Sequence, residues 1–459
     1  MLLWFRNDLR VTDNPALNFA IENGVTDAIF FISPRQWQTH HLAAIKIDFI
    51  YRHALLIKHQ LAQLGISLAL VEADSFADQK AYLLTNQHRQ LIVNKELELN
   101  EMERDEALSH AGVEFIAFES DVVVPKGQIL NQSGQMFKVF TPFKRAWLSW
   151  LRQHGFGICT HENILAMQNG SISNTIEIDS GKFAAGANKW PLADQVLQSL
   201  IPAFLENKLD RYQDQRDIPS IKGTSGLSPY LAIGAISPKY LLTLLLSRHP
   251  DLLSEQSAQA FSWLNELIWR EFYRHLLFHF PHLIKGNVFN EKYAAIPWQT
   301  NETYLAAWQQ GKTGYPIVDA AMRQLNQTGW MHNRLRMIVA SFLTKHLLVD
   351  WRAGEQYFTE KLIDLDFAAN NGGWQWSAGT GCDAQPYFRI FNPMTQSEKF
   401  DPQGKFIRKY LPELADIPDK YIHFPHEYIK VTGKANYWPA IVEHKAAREK
   451  ALAFYKQHL

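Results

Sequence analysis

Cysteine is scarce in this sequence. Only Cys159 and Cys382 occur among its 459 residues, which excludes a disulfide framework and a cysteine-rich zinc site. A surplus of one charge is also missing, because Lys and Arg together number 46 and so do Asp and Glu. Nothing in the whole chain therefore indicates a polyanionic partner, and a basic surface has to be sought locally.

Long apolar runs are absent as well, and the opening MLLWFRNDLR turns to charged residues after a short strand-like run. We expect no signal peptide and no membrane span, and a reduced compartment. The chain has instead a 46% hydrophobic and 13% aromatic content, which is typical of a globular protein with large buried surfaces. Because 459 residues exceed what one core usually serves, two domains are predicted.

Short β-branched or aromatic runs alternate with longer amphipathic segments over the first 120 residues. The predicted strands cover residues 2–5, 28–32, 67–71, 90–93 and 113–118. Helical patterns lie between them, near residues 14–23, 42–64, 75–87 and 98–110. This alternation predicts an α/β domain with a parallel, Rossmann-like sheet at residues 1–125. No GxGxxG follows the first strand, so the usual dinucleotide fingerprint is missing.

The composition changes after residue 125. Residues 126–195 are richer in Gly, Ser, Asn and Gln, and we predict an interdomain linker there. Residues 196–459 largely lack strand signals and are predicted to form an all-helical domain, because apolar residues recur with a period near 3.6. The predicted helices of this domain are 229–248, 257–280, 303–310, 316–327, 330–348 and 354–363.

One predicted helix, WLNELIWREFYRHLL at 263–277, carries three chemically different side chains on one face. Glu266 and Trp269 are i, i+3 neighbours, and Glu266 and Arg270 are i, i+4 neighbours. A surface ion pair beside an anchoring tryptophan explains this helix about equally well, since such pairs contribute only about 0–1 kcal/mol.

A second motif, GWMHNRLRMI at 329–338, lies in a basic segment. Residues 320–352 contain five basic residues against one acidic residue, a net charge of +4 in a neutral protein. If the motif is helical, Trp330, Asn333 and Met337 share a face, and His332 points about 100° away from Asn333 in a structural role. A solvated basic face and a groove for a polyanion are the two alternatives.

The third motif is DLDFAANNGGWQW at 364–376, whose polar and aromatic side chains are unusual for a packed interior. In a helix Asp366, Asn370 and Trp374 would lie one turn apart on one side. Trp376 would then point about 200° away from Trp374, which suggests separate roles for the two indoles. A buried aspartate without a partner is costly, so this segment favours a cationic or hydrogen-bonding guest.

Three weaker patterns carry less information. GTSGLSP at 223–229 precedes a predicted helix and suits phosphate binding, although Ser-Pro is also a common helix start. QQGKTG at 309–314 is not a P-loop, because the pattern requires glycine where Ala306 stands. His275 and His279 have metal-ligand spacing without an accompanying HExxH glutamate, so no metal is predicted.

These motifs, taken in order, resemble the photolyase and cryptochrome family, and within it the class I bacterial enzymes that act on cyclobutane pyrimidine dimers. The similarity runs nearly from end to end. The matching segments outside the motifs above are WFRNDLRVTDNPAL (4–17), PRQWQTH (34–40), VFTPFKRAW (139–147), GKTGYPIVDAAMRQL (311–325) and PYFRIFNP (386–393).

The resemblance implies that the α/β domain holds an antenna chromophore and that the helical domain holds reduced FAD. The residues implied at the phosphate and sugar end of the flavin are Tyr212, Thr224, Ser225, Leu227, Ser228, Trp263 and Arg270. Those implied around the isoalloxazine are Asn333, Arg336, Asp364, Asp366 and Asn370. One departure is Gly226, where some family members carry arginine.

The resemblance also implies a DNA substrate that contains pyrimidine dimers, bound by a cytoplasmic bacterial monomer. Trp269 and Trp376 would clamp the flipped dimer, Glu266 and Asn333 would hydrogen-bond its edges, Met337 would pack on it, and Arg334 would contact phosphate. The implied electron chain to the flavin is Trp374, Trp351 and Trp298.

Asn100, Glu101 and Lys285 match positions that hold methenyltetrahydrofolate in folate-using relatives, with His40 a weaker fourth. A deazaflavin or an empty antenna site remains open.

The main alternative from another class is a cryptochrome-type blue-light sensor. Asn370 stands where plant and insect sensors tend to have Asp or Cys, both substrate tryptophans are present, and no signalling tail follows position 459. Trp376 also differs from the tyrosine that is usual in DASH-type relatives. A dark flavin oxidoreductase is disfavoured because no nicotinamide fingerprint is found.

Overall fold

A computed structural model describes residues 1–170, 181–254, 256 and 259–458 of the chain. Three sequence predictions therefore fall partly outside the described residues. They are the linker predicted at 126–195, for residues 171–180, the helix predicted at 257–280, for residues 257 and 258, and the helical domain predicted at 196–459, for residues 255, 257, 258 and 459.

The five predicted strands form one sheet, with β1 (Leu2–Phe5), β2 (Asp27–Ile32), β3 (Ser67–Glu72), β4 (Gln90–Asn94) and β5 (Glu114–Phe118). Their order is β3-β2-β1-β4-β5, and each neighbouring pair is parallel. All four residues of β1 are buried, as expected for a central strand covered on both faces. The α/β fold with a parallel sheet is thus confirmed.

Most of the remaining chain is helical, which confirms the predicted fold class. In chain order the α-helices are α1 (Pro15–Glu22), α2 (Pro34–Thr39), α3 (Ala44–Gln63), α4 (Phe76–Thr85), α5 (Leu99–His110), α6 (Phe140–His154), α7 (Glu162–Gly170), α8 (Ala193–Gln195), α9 (Ile201–Asn207), α10 (Tyr212–Gln215), α11 (Ser228–Ala232), α12 (Pro238–Arg248), α13 (Gln259–His279), α14 (Glu302–Gln310), α15 (Pro316–Thr328), α16 (Asn333–Ser341), α17 (Trp351–Lys361), α18 (Phe367–Ala378), α19 (Pro393–Phe400), α20 (Lys405–Tyr410), α21 (Asp419–Ile422), α22 (His426–Thr432) and α23 (His444–His458).

Two helix predictions are wrong in detail. The predicted helix 229–248 is two helices, α11 and α12, because Gly234 adopts a φ of 63° and Pro238 begins the second one. The predicted helix 330–348 begins only at Asn333 as α16 and continues into a π-helical turn at Phe342–His346.

The predicted linker contains a regular element. Helix α6 spans 15 residues and buries Phe140, Phe143, Trp147, Leu148 and Leu151 along one stripe. That spacing of three and four residues is typical of a helix that packs one face on a core. Part of this segment is therefore built into the fold.

The structure consists of two compact units, each discontinuous in sequence. Unit 1 contains Met1–Asp210, Ser225–Ile284 and Ile363–Ala368, and so includes the parallel sheet, α6 and α13. Unit 2 contains Arg211–Thr224, Lys285–Leu362 and Ala369–Leu459, and so includes α14 to α17 and α19 to α23. The domain boundaries predicted at 125/126 and 195/196 stay predictions.

Hydropathy along the helices bears on membrane insertion. Within the described part of the chain, no helix has both the length and the apolar character needed to cross a membrane.

Candidate functional site

Helix α13 presents the predicted substrate face in unit 1. Its buried side includes Trp263, which packs on Phe204 with ring centroids 5.4 Å apart. Glu266, Trp269 and Arg270 are half-buried on the same helix. Arg270 Nη1 donates to the backbone oxygen of Asp121 at 2.6 Å. The helical spacing predicted for this motif is therefore confirmed.

The two aspartates that precede α18 have partners within unit 1. Ser228 Oγ donates to Asp364 Oδ2 at 2.6 Å, and Arg274 Nη1 pairs with Asp366 Oδ2 at 3.0 Å. The sequence argument that these carboxylates favour a guest is therefore incomplete, because the protein itself supplies a hydroxyl and a guanidinium.

Arg274 joins a larger group of buried and half-buried charges. Its Nε pairs with Asp121 Oδ2 at 2.6 Å, and Lys126 Nζ pairs with Asp121 Oδ1 at 2.5 Å. Although burial opposes ionisation, Arg274 and Lys126 together lower the pKa of Asp121. Lys46 Nζ donates to the backbone oxygen of Leu365 at 2.5 Å, between the two aspartates. This network positions the segment 363–368 within unit 1.

The segment before α11 departs from the simple phosphate-loop picture. Helix α11 has only five residues, and its N-cap residue Leu227 caps it without a side-chain hydrogen bond. Gly226 has a φ of 69°, a left-handed conformation in which arginine would be strained. The departure from relatives with arginine at this position is thus accompanied by a backbone that favours glycine.

In unit 2, Arg334 already has protein partners. Its Nη2 pairs with Asp217 Oδ2 at 2.8 Å, and its guanidinium carbon lies 4.4 Å from the ring centroid of Phe400. Asn333 is exposed, and Arg336 and Met337 are half-buried on the same helix. The predicted phosphate contact at Arg334 is therefore held by a carboxylate that DNA phosphate would have to replace.

The structure corrects the interpretation of His332. It lies before α16 as the N-cap residue, where its Nδ1 accepts a hydrogen bond from the backbone N–H of Arg334 at 3.1 Å. Burial lowers the pKa of His332 to about 4. The imidazole therefore acts as a neutral cap, which supports its predicted structural role by a different geometry. Trp330 lies outside the helix and does not share its face.

Helix α18 is continuous despite its two glycines, so Trp374 and Trp376 point to different sides. Trp374 is 2% exposed, whereas Trp376 is half-buried. The Trp374 ring packs edge-on against Phe358 and Trp308, with centroids 5.0 and 6.0 Å away. The separation of the two indoles is therefore present in the structure.

Contacts within unit 2 place the three tryptophans of the predicted electron chain near residues 348–354. Trp374 lies against Gly354, which is one turn from Trp351 on α17. Gln299, next to Trp298, donates its backbone N–H to the Leu348 oxygen at 2.9 Å, shortly before Trp351. Trp351 is fully buried and Trp298 is half-buried. Trp298, the last tryptophan in the predicted order, is thus the most exposed of the three.

Asn370 and Asn371 both contact Glu355 on α17. Asn370 Nδ2 donates to the backbone oxygen of Glu355 at 3.1 Å, and Asn371 Nδ2 donates to its carboxylate at 2.8 Å. Burial raises the pKa of Glu355 to about 7. The adjacent amides of the motif are thus oriented by α17.

The predicted antenna residues of unit 1 lie together. The Nδ2 atom of Asn100 is 3.0 Å from His40 Nε2, and His40 Nδ1 is 4.0 Å from Glu101 Oε1. Burial, with the charges of Glu96 and Glu98, raises the pKa of Glu101 to about 8. Lys285 is exposed and belongs to unit 2.

The possible metal spacing at His275 has another explanation. His275 Nε2 is 3.1 Å from the backbone oxygen of Val124, and its ring packs edge-on against Phe143 with centroids 5.3 Å apart. Burial lowers its pKa to about 4. Its contacts are those of a core histidine.

Comparison with known proteins decides the family. Residues 1–158 match a family model described as DNA photolyase, and residues 263–457 match one described as the FAD binding domain of DNA photolyase. The chain is 45% identical to deoxyribodipyrimidine photo-lyase of Escherichia coli, over 99% of this chain and 98% of that protein. The corresponding Vibrio cholerae protein is 44% identical over 99% of each chain. The chain belongs to the DNA photolyase family.

Solved structures agree with this membership. A class III photolyase from Agrobacterium tumefaciens has a TM-score of 0.79 at 35% identity, covering 100% of this chain and 97% of that one. A cryptochrome from Synechocystis has a TM-score of 0.83 at 26% identity, covering 99% and 98%. The family and the photolyase type of enzyme predicted from the sequence are confirmed, and the matched domain makes FAD the cofactor.

Sequence reasoning missed several residues that support the predicted ones. They include Phe140 beside Trp269, Asp217 beside Arg334, and Gly354 beside Trp374. Each supporting residue is distant in sequence from the residue that it contacts. Phe140 lies in the VFTPFKRAW segment of the family resemblance, which was the one available signal for it.

Proposed function

We propose that this chain splits cyclobutane pyrimidine dimers in DNA with near-ultraviolet or blue light. The observation that carries the proposal is full-length similarity, at 45% identity, to a protein named deoxyribodipyrimidine photo-lyase. The half-buried Trp269 and Trp376 support it, because each offers a flat surface for a base.

The residue chemistry fits a flavin. The hydroxyls of Thr224 and Ser225 and the guanidinium of Arg270 suit a phosphate and sugar chain, since they donate hydrogen bonds. Ser228 donates its hydroxyl to Asp364 and so orients that carboxylate. Asp364, Asp366 and Asn370 suit a ring that bears both N–H and carbonyl groups. Bound in its reduced form, FAD would supply light-driven one-electron chemistry, while the protein would position and tune it.

The protein must hold the lesion outside the DNA stack. Enzymes that act on a base, photolyases among them, extrude it first, and a base that is already damaged costs less to flip. Trp269 and Trp376 stack on the extruded dimer, and Met337 packs against it. Glu266 and Asn333 hydrogen-bond its polar edges. These residues hold the dimer in place and exchange no electrons with it.

Contacts between the protein and DNA phosphates contribute to affinity but do not distinguish one base sequence from another. Arg334 is the proposed contact, and it exchanges Asp217 for a phosphate when DNA binds. The carboxylate holds the guanidinium in a defined position in the absence of DNA. Because Asp217 competes with phosphate, this pair sets a limit on non-specific affinity.

A folate antenna is part of the proposal. Asn100 and Glu101 offer an amide and a carboxyl on the first turn of α5, and His40 lies beside them. A Glu101 that is protonated near neutral pH donates a hydrogen bond, which suits a neutral heterocycle better than an anion. Methenyltetrahydrofolate bound beside Asn100 and Glu101 would absorb light and pass its energy to the flavin. We further propose a cytoplasmic monomer.

The test is repair by the purified protein with its flavin reduced chemically. An oligonucleotide with one cyclobutane thymine dimer is illuminated with blue light, and restored thymines are counted by chromatography against a dark control. Light-dependent repair supports the proposal.

A cryptochrome-type sensor is the second candidate, because the similar Synechocystis structure is a cryptochrome. No repair by a protein with a full flavin load would favour that candidate.

The absorption spectrum before and after denaturation, recorded on the same sample, tests whether folate is bound, since folate and flavin absorb at different wavelengths.

A further inference from the structure

Helix α6 packs along helix α13 within unit 1. Phe143 of α6 meets Phe272 of α13 with ring centroids 5.2 Å apart. One turn further along α6, Trp147 Nε1 donates to Glu271 Oε2 at 3.2 Å. Phe143, Phe272, Trp147 and Glu271 are each 0% exposed. The two helices are therefore joined by fully buried contacts.

The same face of α6 begins with Phe140, whose ring lies flat on Trp269. The ring centroids are 3.6 Å apart and the ring planes differ by 5°. Aromatic pairs more often sit edge-on or offset with centroids about 4.5–7 Å apart, so this is a close parallel stack. Phe140 is 6% exposed, whereas Trp269 is half-buried. The stack thus joins a ring fixed in the core to a ring that keeps accessible surface.

We propose that Phe140 is a positioning residue for Trp269. It fixes the plane of the indole before DNA arrives, so that a flipped base meets a surface already in the stacking orientation. An indole that is ordered in advance loses less side-chain freedom on binding, which favours affinity. Phe140 itself touches no substrate. The inference rests on the proposed function, and it gives helix α6 a role in lesion recognition.

Phe143 offers a matched control for Phe140, because it is a buried phenylalanine of the same helix that contacts other rings. Phe143 lies one turn away on the same helix face and contacts Phe272 and His275. Phe143→Leu removes a fully buried ring from the same helix pair but keeps both rings of the stack, with which Phe143 shares the neighbour Phe272. Phe140→Leu removes the stack. Phe140→Tyr keeps a flat ring and serves as the conservative rescue.

The experiment uses the full chain loaded with reduced FAD. Dissociation constants are measured in the dark for two oligonucleotides of one sequence, with and without a single cyclobutane thymine dimer. For Phe140→Leu we expect the preference for lesion DNA to fall roughly 3- to 10-fold, the scale of one aromatic pair. Binding of undamaged DNA should stay unchanged. Phe140→Tyr should keep the preference, and Phe143→Leu should keep it while lowering the melting temperature.

Two results would overturn the inference. One is an unchanged preference in folded, flavin-loaded Phe140→Leu, and the other is an equal loss in Phe143→Leu. Should Phe140→Leu fail to fold, Phe140→Met takes its place, because it keeps an apolar side chain but has no flat face. Failure of the proposed function shows itself separately, as a wild-type protein without any preference for the lesion.

Discussion

The indole of Trp374 lies directly on Gly354, and a Cβ at that glycine would overlap its six-membered ring. Gly354 is part of α17, whose first residue is Trp351. Because Gly354 has no side chain, Trp374 can lie against helix α17, which carries Trp351, the next tryptophan of the predicted electron chain. A glycine inside a helix is otherwise unfavourable by about 1 kcal/mol relative to alanine, so a packing requirement explains its presence.

Gly354→Ala should therefore displace Trp374. Overpacking of this kind costs about 1–3 kcal/mol of unfolding free energy, and the moved indole should slow photoreduction of oxidised flavin. Gly373→Ala on α18 is the matched control, because a Cβ there meets nothing within 4 Å. Urea unfolding and flavin absorbance under illumination measure the two effects. Equal behaviour of the two variants would contradict the contact.

Trp374→Phe tests the separation of electron supply from repair. The variant should lose photoreduction of oxidised flavin, because phenylalanine is much harder to oxidise than tryptophan. Repair should persist once the flavin has been reduced chemically, since Trp374 is 2% exposed and points away from Trp376. Both activities are measured on one preparation. Equal loss of both would refute separate roles for Trp374 and Trp376.

Arg334→Ala should weaken binding to lesion DNA and reduce the slope of log affinity against log salt by about one. The bound complex should still repair the lesion, because phosphate contacts position the DNA without acting on the base. A slope equal to that of the wild type would mean that Arg334 does not meet phosphate.

Asp217→Asn provides the opposite change at the same pair. Asp217 Oδ2 lies 2.8 Å from Arg334 Nη2, so its removal frees the guanidinium from a competing carboxylate. We expect tighter binding to both lesion and undamaged DNA at low salt, measured by fluorescence anisotropy. Weaker binding would indicate instead that Asp217 is needed to hold Arg334 in position.

The sequence predicted those parts of the molecule that depend on local patterns. The runs at 28–32 and 90–93 became strands within a residue or two, because buried parallel strands are continuously apolar. Helix α18 was only a conditional expectation, because Gly372 and Gly373 weaken a regular helix, and the structure has it as one continuous helix. His332 was misplaced because a helix start depends on its cap, and the periodic pattern extends past it. Phe140 and Asp217 were missed because tertiary contacts join residues more than a hundred positions apart.

Lys345 predicts a pH dependence of stability. It is 0% exposed, its Nζ donates to the Ala378 oxygen at 3.0 Å, and burial lowers its pKa to about 7. In the unfolded chain a lysine has a pKa of about 10.4, so between about pH 7 and 10 the unfolded state binds more protons. The contribution of Lys345 to the free energy of unfolding should therefore rise with pH across that window, by up to about 1.4 kcal/mol per pH unit.

Lys345→Met removes the titrating group. The difference in unfolding free energy between wild type and variant, measured in urea from pH 6 to 9.5, should be flat below about pH 6.5 and then shift in favour of the wild type. Subtracting the variant removes the contribution of other groups that titrate in this range. A difference that stays constant with pH would mean that Lys345 keeps an ordinary pKa.

The choice of lesion depends on Asn333 and Met337. Relatives that repair the (6-4) photoproduct need a histidine pair in the substrate cavity, because their reaction moves a proton as well as an electron. The family resemblance places Asn333 and Met337 at those positions, and neither side chain is a general acid near neutral pH. His332 does not replace them, since it is 3% exposed, caps α16 and has a pKa lowered to about 4 by burial.

We therefore expect light-dependent repair of cyclobutane pyrimidine dimers with negligible repair of (6-4) photoproducts. The measurement gives the reduced protein two oligonucleotides of one sequence, each with one lesion, under the same blue light. Asn333→His alone should not create (6-4) activity, because a single imidazole cannot supply the proton and stabilise its partner. Repair of the (6-4) substrate by the wild type at a comparable rate would contradict the assignment, because no described side chain at these two positions could then account for the proton.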